Sequence, residues 1–265
     1  RIEVTSFVNP KLVAQMADAE AVVQALPDRA ELSYIGLCLN RRGVERALAT
    51  RHGGRRGVDE AGCVLAASDS FGRRNQGQSV EQGLAEVGAM LQLARQGGLV
   101  PQVTIAVAFG CPFEGLVPVE RVAQLATALA GAGAVEIALA DTIGVAVPAE
   151  VEHLFGLLRA RLPKVRLRGH FHNSRGQGVA NAWAAFRAGA AVLDASLGGL
   201  GGCPFAPKAT GNVATAELAY LFGRAGIETG LDLDRLIAAG QWMEGALGRP
   251  LPDLVSRAGN WPGPE

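Results

Sequence analysis

Two histidines one residue apart, in Gly169-His170-Phe171-His172-Asn173, close an apolar run that reads as a β-strand. Side chains at i and i+2 of a strand share a face, so both imidazoles aim the same way. Two neutral imidazoles so placed make half of a divalent-metal site; the alternative is a pair of histidines satisfied by hydrogen bonds inside a core. A second segment runs Leu197-Gly198-Gly199-Leu200-Gly201-Gly202-Cys203-Pro204-Phe205, with Gly211-Asn212 beyond it. Its glycines let backbone approach a ligand and let the loop move. A thiol on such a loop serves as acid, base or nucleophile when tuned, or has no role at all. Asn212 offers an amide oxygen to a metal shell, or is a turn residue. Asp141-Thr142-Ile143-Gly144 ends another strand, where the carboxylate faces the same site or caps the next helix; Thr142 there could donate to an oxyanion. Glu3 sits between apolar strand residues and faces either a site or solvent. Cys111, in Phe109-Gly110-Cys111-Pro112-Phe113, echoes the later Cys-Pro-Phe and reads first as packing or a substrate wall.

These residues need elements to hold them. Strands are expected at 2–6, 32–38, 61–66, 102–109, 134–140, 165–171 and 190–196, and helices near 11–25, 41–49, 79–96, 118–130, 148–161, 177–188 and 214–225. In 79–96, Val80, Leu84, Val87 and Leu91 share one face, Ser79 with Gln82 makes a capping box, and Gly97-Gly98 supplies the stop. Pro118 and Pro148 fall near helix starts, where a missing N–H costs little. Strand–helix alternation implies a parallel sheet. Seven strands are countable where eight close a barrel. The expected fold is therefore a (β/α)8 TIM barrel whose first strand and helix are absent from this chain. Residues 1–265 form one domain with a C-terminal helical extension holding Trp242, Met243 and Trp261. An open doubly wound sheet is the alternative, without a G-x-G-x-x-G after an early strand to support it.

The 265 residues, 49% of them hydrophobic, suffice for one large core. Twenty-five basic residues balance twenty-five acidic ones, which gives no electrostatic case for nucleic acid or an anionic membrane as main partner. No run approaches the ~18 apolar residues of a membrane span. Cys38, Cys63, Cys111 and Cys203 form no C-x-x-C pair, so a reducing compartment fits better than a disulfide framework.

Six segments together resemble the 3-hydroxy-3-methylglutaryl-CoA lyase family of metal-dependent barrel lyases. They are Thr5-Ser6-Phe7-Val8 with Pro10-Lys11, Gly110-Cys111-Pro112-Phe113-Glu114-Gly115, Asp141-Thr142-Ile143-Gly144, the His170/His172 pair, Gly199-Leu200-Gly201-Gly202-Cys203-Pro204, and Gly211-Asn212-Val213-Ala214-Thr215. The resemblance implies His170, His172 and Asn212 as ligands of Mg²⁺ or Mn²⁺, and Cys203 as a mobile catalytic thiol. It implies Asp141 as a catalytic or positioning carboxylate, Glu3 as a supporting one, and Thr142 and Ser6 as substrate contacts. The family's Arg-Asp pair on a first strand has no counterpart in this sequence. Asn173, Ala138 and Ala140 depart from the family's usual residues close to the site, which bears on the acyl substrate more than on the reaction.

The implied reaction is a metal-dependent retro-Claisen cleavage of 3-hydroxy-3-methylglutaryl-CoA, an acyl-CoA substrate, to acetyl-CoA and acetoacetate, a step of leucine degradation and ketone-body formation. The implied protein is a homo-oligomer, a dimer, in the cytoplasm of a bacterium or the mitochondrial matrix of a eukaryote. A hard, octahedral cation suits two imidazoles and an amide oxygen with room for a bidentate substrate. The rivals are a lyase for a related thioester such as citramalyl-CoA, a Claisen-type synthase of the same barrel group, and a non-catalytic barrel.

Overall fold

The computed structural model describes residues 1–202 and 211–261. Seven parallel strands make its main sheet: β1 (Ile2–Ser6), β2 (Tyr34–Cys38), β3 (Glu60–Ala66), β4 (Val100–Ala106), β7 (Glu136–Asp141), β8 (Arg166–Phe171) and β9 (Val192–Asp194). Between β4 and β7 lies a short antiparallel hairpin, β5 (Gly110–Cys111) with β6 (Gly115–Leu116). The helices are α1 (Ala19–Ala25), α2 (Arg41–Ala49), α3 (Asp69–Gln76), α4 (Val80–Gln96), α5 (Val119–Gly131), α6 (Pro148–Arg161), α7 (Gly178–Arg187), α8 (Thr215–Arg224), α9 (Leu233–Leu247) and α10 (Leu254–Ala258). None of them is long and apolar enough to cross a membrane.

The main strands hydrogen-bond in chain order, β1-β2-β3-β4-β7-β8-β9. A doubly wound sheet would reverse order at a switch point; this one does not, and its order is that of a barrel. The sheet is curled, since Arg1 just ahead of β1 reaches across its interior to Glu60 of β3 at 3.1 Å and Glu136 of β7 at 2.9 Å. Among the described residues no ladder joins β1 to β9.

Alternation along each strand sorts the side chains. Val103, Ile105, Ile137 and Leu139 are fully buried on the helix-facing side. The opposite parity carries Glu60, Gln102, Glu136 and Arg168, a polar interior in which Gln102 donates to Glu60 Oε2 at 2.8 Å. Pairing offsets most of the cost of burying such groups, though Gln102 Oε1 and Arg168 Nε have no hydrogen-bond partner among the described residues.

Local signals set most element ends. Ser79 and Gln82 form both halves of the expected capping box on α4, and Pro148 begins α6. Three expectations are corrected. The stretch 11–25 holds a single 3₁₀ turn (Ala14–Met16) before α1 instead of one helix. The strand expected at 102–109 stops at Ala106, because Val107 turns into the left-handed region at φ 53°. Helix α3 was not expected; its apolar content is low, but Ser68 caps its start and Gly77, at φ 71°, ends it.

Candidate active site

Strand β8 and the chain just beyond it present Arg168, His170 and His172 on one face, one above the other. The other face packs outward through Leu167 and Phe171, whose ring lies 6.3 Å from Phe109 and 6.5 Å from Phe155. Register places His170 opposite Ala140 of β7 and Asp194 of β9, so its imidazole stands at the C-terminal rim of the sheet interior. The two imidazole centroids are 5.4 Å apart. His170 Nδ1 lies 3.2 Å from Asp194 Oδ2, a contact that favours a proton on Nδ1. His172 is 5% exposed and bridges to Asn212 through an isolated antiparallel β-bridge.

Asn212 reaches the pair by another route. Its amide nitrogen donates to Leu200 O at 3.0 Å, which turns Oδ1 away from that carbonyl. Oδ1 is buried and accepts no hydrogen bond among the described residues. An orphaned amide oxygen beside two imidazoles is costly unless something electropositive completes it. Two imidazole nitrogens and that oxygen fit a hard divalent cation with positions to spare. Among the described residues no group of three or more His, Cys, Asp or Glu is placed to hold a metal, here or elsewhere, so the candidate set depends on the amide of Asn212.

Asn212 can lie so close to the run 198–202 only because side chains are missing there. A Cβ on Gly201, at φ 112°, would lie 2.4 Å from Asn212 Nδ2. Pressed onto the turn from outside is the chain between α9 and α10. Leu251, 1% exposed, fills the space a Cβ of Gly198 would take, and Pro252 stands over Gly199. Leu251 N–H donates to Glu244 at 2.6 Å, and Leu254 N–H donates to the buried Glu217 at 3.1 Å. Burial and nearby Asp253 push the Glu217 carboxyl above its ordinary range, against the hydrogen bond from Leu254.

Glu3 has inward parity on β1, with its carboxylate above Gly62, whose lack of a side chain leaves it room. Dense surroundings raise its pKa, Asp194 adds to the effect, and Arg168 and His170 oppose it. Glu3 itself is exposed. Ser6, at the end of the same strand, has a buried hydroxyl oxygen without a partner among the described residues. Asp141 has the outward parity of Ile137 and Leu139. Its two oxygens accept from Val145 N at 2.8 Å and Ala146 N at 3.1 Å. Burial raises its pKa while these two bonds lower it. These bonds hold the loop before α6, whose N-cap is Val147, so Asp141 does not cap that helix. Thr142 Oγ1 accepts from Val107 N at 2.8 Å. Cys203 lies outside the described residues.

Of the other thiols, Cys111 is buried and accepts from Ser68 Oγ at 3.0 Å. Burial pushes up the pKa of both Cys38 and Cys63, the latter to about 12, so both stay protonated. What the sequence reading missed is the set beneath the histidines: Asp194, Arg168, Thr104 and Glu136. A signal existed, since Arg168 shares the parity of His170, but naming its partners requires the register of three other strands.

The HMGL-like family model matches residues 1–243. The (R)-citramalyl-CoA lyase of Chloroflexus aurantiacus is 43% identical over 98% of this chain and 83% of its own length. The hydroxymethylglutaryl-CoA lyase of Bacillus subtilis is 38% identical over 95% of this chain and 82% of its own. A solved HMG-CoA lyase from Acinetobacter baumannii, in complex with coenzyme A and 3-methylmalate, superposes with a TM-score of 0.91 at 35% identity, covering 100% of this chain and 86% of that one.

Proposed function

Because the chain belongs to the HMGL-like family and is a carbon–carbon lyase, we propose that it cleaves 3-hydroxy-3-methylglutaryl-CoA to acetyl-CoA and acetoacetate. The observation that carries this reading is the orphaned Oδ1 of Asn212 beside the His170/His172 pair. In it, His170, His172 and Asn212 hold a divalent cation, Mg²⁺ or Mn²⁺. When bound, that ion supplies Lewis-acid stabilisation of negative charge on the substrate's oxygens.

The chain's own residues do the rest. Cleavage needs the tertiary hydroxyl of the substrate to lose its proton, so that the bond between that carbon and the thioester's α-carbon can break. Glu3 suits the role of acceptor: it faces inward near His170, and its surroundings favour its protonated form. The electron pair passes to the thioester as an enolate, which takes a proton at carbon; Cys203 is the proposed donor. Ser6, with its unengaged hydroxyl, is a substrate contact. Asp141, whose oxygens are held by Val145 and Ala146, acts by positioning the loop that carries Thr142. In the same reading the protein is a dimer, supported by Trp242, Leu247 and Leu254, which remain exposed along the C-terminal helices.

A second reading, cleavage of citramalyl-CoA, is favoured by the 43% identity to the Chloroflexus lyase. Both are tested by acetyl-CoA release from each thioester by the full-length protein, with Mg²⁺ and then with EDTA. Release that EDTA abolishes, with the higher kcat/KM on 3-hydroxy-3-methylglutaryl-CoA, is the expected result. The reverse preference moves the assignment to citramalyl-CoA, and EDTA-resistant turnover overturns the cation's role.

A further inference from the structure

Beneath the histidine pair the interior is built from charge. Arg168, 4% exposed, extends from β8 across the inside of the sheet. Its Nη2 donates to Thr104 Oγ1 at 3.1 Å, its Nη1 lies 3.4 Å from Asp194 Oδ1, and its Nε is 3.3 Å from Glu136 Oε1. Glu136, 1% exposed on its side chain, is in turn held by Arg166. The Asp194 carboxylate is thus divided: one oxygen meets the guanidinium, the other meets His170 Nδ1. A carboxylate anchored at one oxygen by a buried, multiply held arginine has little freedom to rotate, and its second oxygen is a fixed acceptor.

We propose that Asp194 is a positioning residue for the cation site, holding His170 by its Nδ1–H so that Nε2 points at the ion, with Arg168 as the clamp that fixes Asp194. The inference rests on the ligand set named above. A histidine whose tautomer and ring angle are fixed before the ion arrives gives up less freedom on binding, and an anionic acceptor makes it a stronger ligand. His172 has a different support, the backbone bridge to Asn212.

Two measurements test it, neither using turnover. The first is made on the metal-free wild-type protein at pH 8. Long-range ¹H–¹⁵N correlations of its four histidines should show His170 as the Nδ1–H tautomer; an Nε2–H tautomer overturns the proposal. The second is Mn²⁺ affinity, read by the electron-spin signal of free Mn²⁺. Asp194→Ala should weaken binding about 10–100-fold, and Asp194→Asn, which keeps an acceptor oxygen, should recover most of the loss. A folded Asp194→Ala whose Kd stays within about twofold of wild type overturns the proposal, because a purely structural role predicts a lower metal-free Tm with unchanged affinity. Should Asp194→Ala not fold, the tautomer measurement decides alone. Wild-type protein that binds no Mn²⁺ overturns the ligand set and this inference together, whereas normal wild-type binding with an insensitive Asp194→Ala overturns only this inference.

Discussion

The two halves of the candidate cation site are positioned by opposite means. His170 and His172 stand on and just beyond a central strand, aimed by its alternation and, for His170, by a carboxylate and an arginine beneath. Asn212 lies against the glycine run 198–202, which carries only one side chain, that of Leu200. It is located by what glycine permits and by Leu251 and Pro252 pressing in from the C-terminal helices. The first half is held by charge and register, the second by shape. The difference teaches where each is vulnerable: the strand half to loss of a polar partner, the turn half to a single added or removed methyl group.

The largest effect should come from the strand half itself. His172→Ala removes a ligand, and since loss of a ligand's supporting partner already costs about 10–100-fold in affinity, Mn²⁺ binding should weaken by more than that. Retained affinity, measured by calorimetry, would break the comparison at its root. Next is the turn half. Leu251→Ala should cost about 2–5 kcal/mol of stability, visible in urea unfolding, and should also weaken Mn²⁺ binding through Asn212. A variant that loses stability but binds Mn²⁺ normally would show that the C-terminal helices hold the turn without aiming the ligand.

A smaller effect concerns the end of β4. Left-handed backbone at a β-branched residue costs about 1–3 kcal/mol, and the Thr142 hydroxyl offsets part of this by accepting the Val107 N–H. Thr142→Val should therefore be more destabilising beside Val107 than beside Gly in a Val107→Gly background. Equal losses in the two backgrounds, by thermal unfolding, would separate Thr142 from that strain.

The smallest is a pH effect at Glu217, under the C-terminal segment. Its carboxyl is raised above the ordinary 4.5 in the folded protein. The folded state therefore holds this proton more tightly than the unfolded chain, and the group weakens folding once pH exceeds both values. Its contribution improves as pH falls through the raised value toward the ordinary one. Glu217→Gln, which keeps an acceptor for Leu254 N–H, should raise the Tm at neutral pH, with the gain shrinking under acid. A gain that persists unchanged at low pH would assign it to something other than ionisation.

The same contrast explains what could be read from the sequence. Periodicity sufficed for the seven main strands and for the shared direction of His170 and His172, because both follow from local alternation. The capping box of α4 and the proline at the start of α6 are equally local. Asp194 could not be connected to His170 without the register of β8 on β9, and Leu251 stands more than fifty residues from the glycine it covers. The two possibilities for Asp141 had the same local pattern, and neither named what its outward parity gives: bonds to Val145 and Ala146 that hold the loop ahead of α6. The end of β4 was misplaced because nothing in Ala106-Val107-Ala108 announces a left-handed valine, a residue type that rarely goes there.

That valine has a consequence for how the protein would drift under selection. A library enriched only for survival of heating should accumulate Gly or Asn at position 107, residues that enter this conformation cheaply, and Thr142 would then become free to vary. A library enriched for turnover, if the bend serves the site, should keep Val107 and Thr142 together. The two positions would behave as one inherited unit in the second population and as strangers in the first.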